Sequence, residues 1–252
     1  MSTMVTGTAP ARRSALERST AMWLAATEYQ RYVEHLRELS TQDWTRPTDC
    51  PDWDVRAMAT HVLGMAEMAA SIREGARQRK AARSRGGVFI DALTALQVAE
   101  HAGQTPAEIV ARLAAVAPKA ARGRRFTPFF VRRHRMPEPQ VLNGIPEDWT
   151  IGYLIDTILT RDPWMHRVDS TRATGKPMHL TAEHDGLIVA DVVAEWAARH
   201  GRPCTLVLGG IAGGHWTFGS GGPTLELDAL EFCRVLSGRA EGDGLLGTQV
   251  PF

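Results

Sequence analysis

The chain has 252 residues, of which 44% are hydrophobic and 23% are charged, and its formal net charge is +1. This ordinary globular composition excludes wholesale disorder, and the near-zero net charge argues against a polyanion-binding protein as a whole. Three widely spaced cysteines in no CxxC pattern exclude a disulfide scaffold and a cysteine-rich zinc site.

The predicted location is the cytoplasm. Odd, scattered cysteines fit a reducing compartment. No apolar run approaches the roughly 20 residues that span a bilayer, so we expect no membrane partner. The segment from Met1 to Arg13 has no apolar core of the kind found in signal peptides.

Apolar residues at three- and four-residue steps predict helices over residues 14–40, 54–76, 88–101 and 106–121. The last of these begins with a capping box, Thr105-Pro106-Ala107-Glu108. A basic stretch that ends in a glycine break follows the second helix. Residues 122–149 are predicted to be irregular, because they hold four prolines and many arginines.

A further long helix is predicted from about Thr150 to Asp169, ending before Gly175. Beyond it the pattern changes to a helix over 181–200, three short strands separated by glycine clusters, and a last helix over 228–237. The sequence therefore predicts a mainly α N-terminal four-helix bundle, residues 14–178, and a smaller C-terminal α+β domain, residues 179–252.

Two ligand-type side chains lie on the apolar face of the helix that begins near Thr150. At 100° per residue, Asp162 falls roughly 20° and His166 roughly 60° from Ile151, which lies near the centre of that face. Burial of an unpaired carboxylate is unfavourable, and a metal ion or an arginine would remove that penalty. Both alternatives are open from the spacing alone, and Pro163 between the two residues predicts a bend.

His61 is a third candidate, at the edge of the apolar stripe of the second helix. Facing helices of a bundle can bring such groups together, and two histidines with one carboxylate leave positions open for water or substrate. A lone histidine at such a position is also compatible with an ordinary, hydrogen-bonded core residue.

Two segments resemble a known family. The stretch CPDWDVRAMATHVLG, residues 50–64, resembles the tryptophan-loop-helix-histidine signature of the DinB-like metalloenzyme superfamily. It is similar, more narrowly, to the mycothiol-dependent maleylpyruvate isomerase family. The stretch TILTRDPWMHRVDSTRATGKP, residues 157–177, resembles the second metal segment of that family, and the C-terminal part resembles its sterol-carrier-like domain.

The resemblance implies a divalent metal, usually zinc with nickel or iron as alternatives, held by His61, Asp162 and His166. It also implies mycothiol, a small thiol, as cosubstrate, and thiol transfer or thiol-assisted isomerisation of a small electrophilic substrate. The acid here is Asp rather than Glu, and the arginine-rich residues 122–149 have no counterpart in the isomerase. The alternative hypothesis is a non-catalytic small-molecule binding protein in which a metal is structural or absent.

Other features carry weaker interpretations. The basic residues between 77 and 85 and between 119 and 135 form either solvated loops or a cationic, aromatic-lined mouth for an anionic substrate. Binding to nucleic acid is disfavoured, because no nucleic-acid-binding motif accompanies them. Asp169 either orients His166 or has a structural role, which we favour, and Cys50 is interpreted as incidental because no base is identifiable beside it.

Overall fold

The structure is a computed structural model that describes residues 11–252. Its N-terminal part is helical, and no helix in the described range is long and apolar enough to cross a bilayer. The helices of this part are α1 (Arg18–Arg37), α2 (Val55–Ala70), α3 (Ile72–Arg85), α4 (Phe89–His101), α5 (Pro106–Arg125) and α6 (Phe129–Arg133).

The bundle is completed by a helix with an irregular start. It begins as a single turn, α7 (Ile151–Tyr153), passes through a π-helical segment (Leu154–Ile158) and continues as α8 (Leu159–Thr174). Helices α1, α2, α5 and α8 form the four-helix bundle, with α5 and α8 each packed against both α1 and α2. Helices α3 and α4 pack on the outer side of α2.

The predicted second helix, 54–76, is wrong in its end point. Ser71 has an extended backbone and its hydroxyl accepts from the N–H of Glu74, so it ends α2 and caps a new helix. The basic stretch that we expected to be non-helical forms α3, where Arg77 pairs with Glu74 and Glu100. These ion pairs hold Arg77 on the surface of the helix.

Residues 122–149 are more regular than predicted. Helix α5 extends to Arg125, α6 follows, and a hairpin of β1 (Gln140–Leu142) and β2 (Ile145–Glu147) completes the segment. Asn143 and Gly144 join the two strands with φ angles of 49° and 75°. An Asn-Gly pair is the preferred sequence of such tight turns, so the hairpin had a local signal that the proline content obscured.

The π-helical segment and Pro163 leave backbone carbonyls of the bundle without helical donors, since proline has no N–H to offer Leu159. The buried Arg124 of α5 satisfies them. Its guanidinium donates to the carbonyl of Ile155 at 2.8 Å, to that of Leu159 at 2.9 Å and to the hydroxyl of Thr160. A side chain from the arginine-rich segment is thus part of the bundle core.

The C-terminal part begins with a second π-helical turn (Ala182–Gly186). Helix α9 (Leu187–His200) comes next, and a three-stranded sheet comes after it. Its strands are β3 (Cys204–Gly209), β4 (Gly214–Phe218) and β5 (Thr224–Asp228), in the order β4-β3-β5, before α10 (Ala229–Leu236). Strand β3 is antiparallel to β4 and parallel to β5. The predicted fold class, a helical bundle with a smaller α+β part, is confirmed.

The core of the α+β part extends into the bundle. Trp164, Met165 and Val168 of α8 are buried in the same apolar cluster as α9, the sheet and α10. One face of helix α8 therefore packs in the helical bundle, and another packs in the core of the α+β part. The division into residues 14–178 and 179–252 stays a prediction.

His35 of α1 is buried against α8, where its Nε2 lies 2.8 Å from the hydroxyl of Ser170. Burial lowers the pKa of His35 to about 4, and the positive charge of Arg167 acts in the same direction. The imidazole is therefore neutral in the folded protein at neutral pH.

We expect replacement of Arg124 by Met to lower the free energy of unfolding by about 3 kcal/mol. Methionine retains the apolar stem but leaves the carbonyls of Ile155 and Leu159 buried without donors. Chemical denaturation would measure the loss, with the exposed neighbour Arg122→Met as the matched control. Equal stability of the two variants would contradict the assigned role of Arg124.

We also expect His35 to make stability fall with acidification. Because its folded pKa is lowered below that of the unfolded chain, its contribution is present above about pH 6.5 and is lost as pH falls towards 4, by about 2.5 kcal/mol. Denaturation curves across this range should show a shallower pH dependence for His35→Gln than for wild type. The exposed control His134→Gln should follow wild type, and a slope unchanged in His35→Gln would refute the assignment.

Candidate metal centre

The three predicted ligand residues meet between α2 and α8. His61 projects from the first half of α2, and Asp162 and His166 stand one turn apart on α8. The Nε2 atoms of His61 and His166 each lie 3.5 Å from a different oxygen of the Asp162 carboxylate. One ligand atom from each of the three residues falls within 4.8 Å of the others.

These spacings fit a cation better than they fit direct hydrogen bonds. A distance of 3.5 Å is long for an N–H···O bond, and Oδ2 of Asp162 is buried without a hydrogen-bond partner among the described residues. Two ligand atoms that each lie ~2.1 Å from a tetrahedral ion are separated by about 3.4 Å. The residues therefore match the size and the donor chemistry of a divalent metal site.

A chain of amides holds His61 in position. Its Nδ1 lies 2.8 Å from the side-chain oxygen of Gln97 in α4, which in turn donates to Gln78 in α3, and Gln78 donates to the carbonyl of Gly64. With Nδ1 protonated and donating, Nε2 keeps a lone pair directed at Asp162. A Cβ atom at Gly64 would lie 2.6 Å from Gln97, so the glycine makes room for this chain.

His166 is held in a similar way by a carboxylate. Its Nδ1 lies 3.3 Å from Oδ2 of the fully buried Asp169, whose oxygens accept from Arg239, which follows α10. Asp169 therefore contacts His166, as in the first of the two interpretations from the sequence, whereas we had favoured a structural role. The histidines thus present Nε2 to Asp162 and are supported through Nδ1, an arrangement typical of metal-ligating imidazoles.

Cys50 is not incidental to this region, as the sequence had suggested. Its Sγ lies 3.7 Å from Oδ2 of Asp169 and 3.3 Å from the guanidinium of Arg239. Cys50, His166 and Asp169 also bring three potential ligand atoms within 4.8 Å. The guanidinium of Arg239 already supplies a positive charge to this second group, so it offers a poorer cation site than the first.

The charges favour an ionised carboxylate. Burial alone would raise the pKa of Asp162, but the positive charges that His166 and His61 carry in their protonated forms outweigh it and hold that pKa well below its usual range. Burial and the nearby negative charges of Asp162 and Asp169 raise the pKa of Tyr32, so its phenol stays protonated. The site can therefore present one anionic oxygen and two imidazole nitrogens to a cation.

Trp53 forms one wall of the site. Its ring centre lies 5.2 Å from that of His61 and 5.9 Å from that of His166. Trp53 belongs to the loop before α2. The next residue, Asp54, caps α2, because its carboxylate accepts a hydrogen bond from the N–H of Ala57. Periodicity gave no reason to single out Gln97 or Arg239, because each acts through partners distant in sequence, whereas Trp53 belongs to the signature over residues 50–64.

The arginine-rich segments belong to other elements than those that carry the candidate ligands. Arg132 pairs with the buried Asp156, Arg135 with Asp148, and Arg83 with Glu138. Arg122 and Arg125 line a groove between α1 and α5, whereas the three predicted ligands lie on α2 and α8. The cationic mouth considered from the sequence stays a prediction.

Comparison with known proteins places this geometry in context. The chain is similar over 89% of its length to a structure of a histidine-to-alanine mutant of the mycothiol-dependent maleylpyruvate isomerase, with 14% identity, a TM-score of 0.55 and 90% of that chain covered. It is similar over 91% of its length to a structure of the mycothiol-dependent maleylpyruvate isomerase, with 16% identity, a TM-score of 0.56 and 92% coverage. At these identities the likeness establishes the fold. No curated protein matches the sequence.

A family model described as the mycothiol maleylpyruvate isomerase N-terminal domain matches residues 25–171. The match covers more than half of the chain and includes α2, most of α8 and all three candidate ligands. The chain therefore belongs to the mycothiol maleylpyruvate isomerase family.

Proposed function

We propose that the protein is a metal-dependent enzyme that uses mycothiol for thiol transfer to, or thiol-assisted isomerisation of, a small electrophilic substrate. His61, Asp162 and His166 would hold one divalent metal ion. The observation that carries the proposal is the buried, unpartnered oxygen of Asp162 between two imidazoles whose outer nitrogens are already engaged. Family membership supports mycothiol as the cosubstrate.

Zinc is the metal that we propose, with nickel and iron as alternatives to be tested. Two imidazoles and one carboxylate are a common ligand set of catalytic zinc sites, and three protein ligands leave a position open for an exogenous group. Bound there, such an ion supplies the positive charge that lowers the pKa of a thiol, so that a thiolate is available near neutral pH.

The residues of the chain would perform distinct tasks around that thiolate. Gln97 fixes the tautomer of His61, and Asp169 fixes the orientation of His166. Trp53 excludes water from one side of the site, which strengthens the electrostatic interactions within it. Tyr32, kept neutral by its raised pKa, retains its phenolic proton and adds no negative charge to the site.

The proposal predicts a metal content that depends on the ligands. Wild-type protein purified without a histidine tag should carry about one equivalent of metal, and His166→Ala should lose it, because two ligands bind a divalent ion far more weakly than three. Elemental analysis would measure both, with the exposed His215→Ala as the matched control.

The same preparations would test the reaction. Metal-loaded wild type should consume a maleylpyruvate-type electrophile only when mycothiol is present, whereas His166→Ala should be inactive. If the wild-type protein contains no bound metal even after zinc, nickel or iron has been supplied, the metalloenzyme proposal is wrong. That result would favour the non-catalytic binding protein instead.

Gln97 should control the affinity for the metal without touching it. We expect Gln97→Leu to weaken metal binding by about 10- to 100-fold, since His61 loses the acceptor that fixes its tautomer. Competition with a chromophoric chelator would measure the change, and the exposed Gln42→Leu serves as control. Unchanged affinity in Gln97→Leu would show that the amide chain does not position His61.

A further inference from the structure

An open groove runs between α1 and α5, on the side of the bundle away from the pairing of α2 with α8. Its volume is about 570 Å³, which is within the range of small-molecule sites. The floor consists of apolar or partly apolar side chains from both helices: Met22, Ala26, Tyr29, Val33, Ala114, Ala117, Pro118 and Ala121. The candidate metal ligands are not among its lining residues.

The two ends of the groove differ in charge. Helices α1 and α5 are antiparallel, since Arg18 at the start of α1 donates to the carbonyls of Arg124 and Arg125 at the end of α5. Arg122 and Arg125 therefore stand at one end, while Glu34 and Arg37 of α1 stand at the other.

The guanidiniums of Arg122 and Arg125 form no ion pair within the described residues, although neighbouring Arg132 and Arg135 do. Arg18 is engaged with Asp156 and with the two carbonyls. This end of the groove therefore carries two uncompensated positive charges. The ring of Phe126, 70% exposed, stands beside them on the rim.

We propose that this groove binds an amphipathic organic anion at a second site, distinct from the candidate metal centre. The anionic head, a carboxylate, sulfonate or phosphate, pairs with Arg122 and Arg125, and the aromatic or acyl body lies on the apolar floor. Charge complementarity selects the head and the apolar area retains the body. The proposal does not depend on a metal or on thiol chemistry.

Two fluorescent probes of nearly the same shape test it. The anion 8-anilinonaphthalene-1-sulfonate should bind to the full-length protein with one site, and its uncharged counterpart N-phenyl-1-naphthylamine should bind more weakly. In the double variant Arg122→Gln/Arg125→Gln, the Kd of the anion should rise about tenfold, since two charge contacts are lost. The Kd of the uncharged probe should stay the same.

The matched control removes two exposed charges elsewhere, Arg79→Gln/Arg202→Gln, and should bind the anion as wild type does. Decanoate should displace the anionic probe and decanol should not. Metal content should be the same in all variants, so failure here is separable from failure of the proposed function.

Equal loss of affinity in the groove variant and the control variant would overturn the proposal, because it would mean that only the total charge matters. A second result would also overturn it. If free decanoate does not bind, but vesicles containing phosphatidylglycerol bind wild type and not the groove variant, the arginines serve a lipid surface rather than a free ligand.

Discussion

The half-buried carboxylate of Asp162 lies between the imidazoles of His61 and His166, and the compensation of its charge is the physical requirement on which the candidate site depends. An ionised carboxylate in an apolar core is strongly unfavourable unless a positive charge or a set of donors compensates it. The structure offers two nitrogens at 3.5 Å and leaves one oxygen without a hydrogen-bond partner among the described residues. A divalent cation would satisfy that oxygen and both imidazoles together, which is why the geometry supports the proposed metal centre.

The supports of this centre come from separate parts of the chain. Gln97 of α4 holds His61, whereas Asp169 of α8, itself bound by Arg239 from beyond α10, holds His166. Helices α3 and α4 pack on the outer side of α2, and they thus supply the side chains that hold His61 in position. The α+β part likewise reaches the site through Arg239, so neither part alone contains the whole arrangement.

Helix α8 accommodates these demands with an irregular backbone. The π-helical segment and Pro163 interrupt its hydrogen-bond ladder, and Arg124 from α5 donates to the carbonyls that are left over. One face of α8 then carries Asp162 and His166 towards α2, while Trp164 and Val168 enter the core of the α+β part. An interrupted helix near a functional site is common, because such a defect re-aims side chains at a cost that the surrounding packing absorbs.

The sequence by itself determined the fold class and brought the three ligand-type residues forward, since helical periodicity placed Asp162 and His166 on a buried face and a known signature surrounded His61. Local chemistry also determined the capping box at Thr105. Only the tertiary structure decided that Gln97, Asp169 and Arg239 support the histidines, and that Arg124 is a core residue rather than part of a charged mouth. The roles of Gln97, Arg239 and Arg124 arise from contacts between residues tens of positions apart, which helix packing brings together, and periodicity within one helix holds no information about them. Asp169 lies only three residues from His166, so its contact was an open alternative that the side-chain geometry decided.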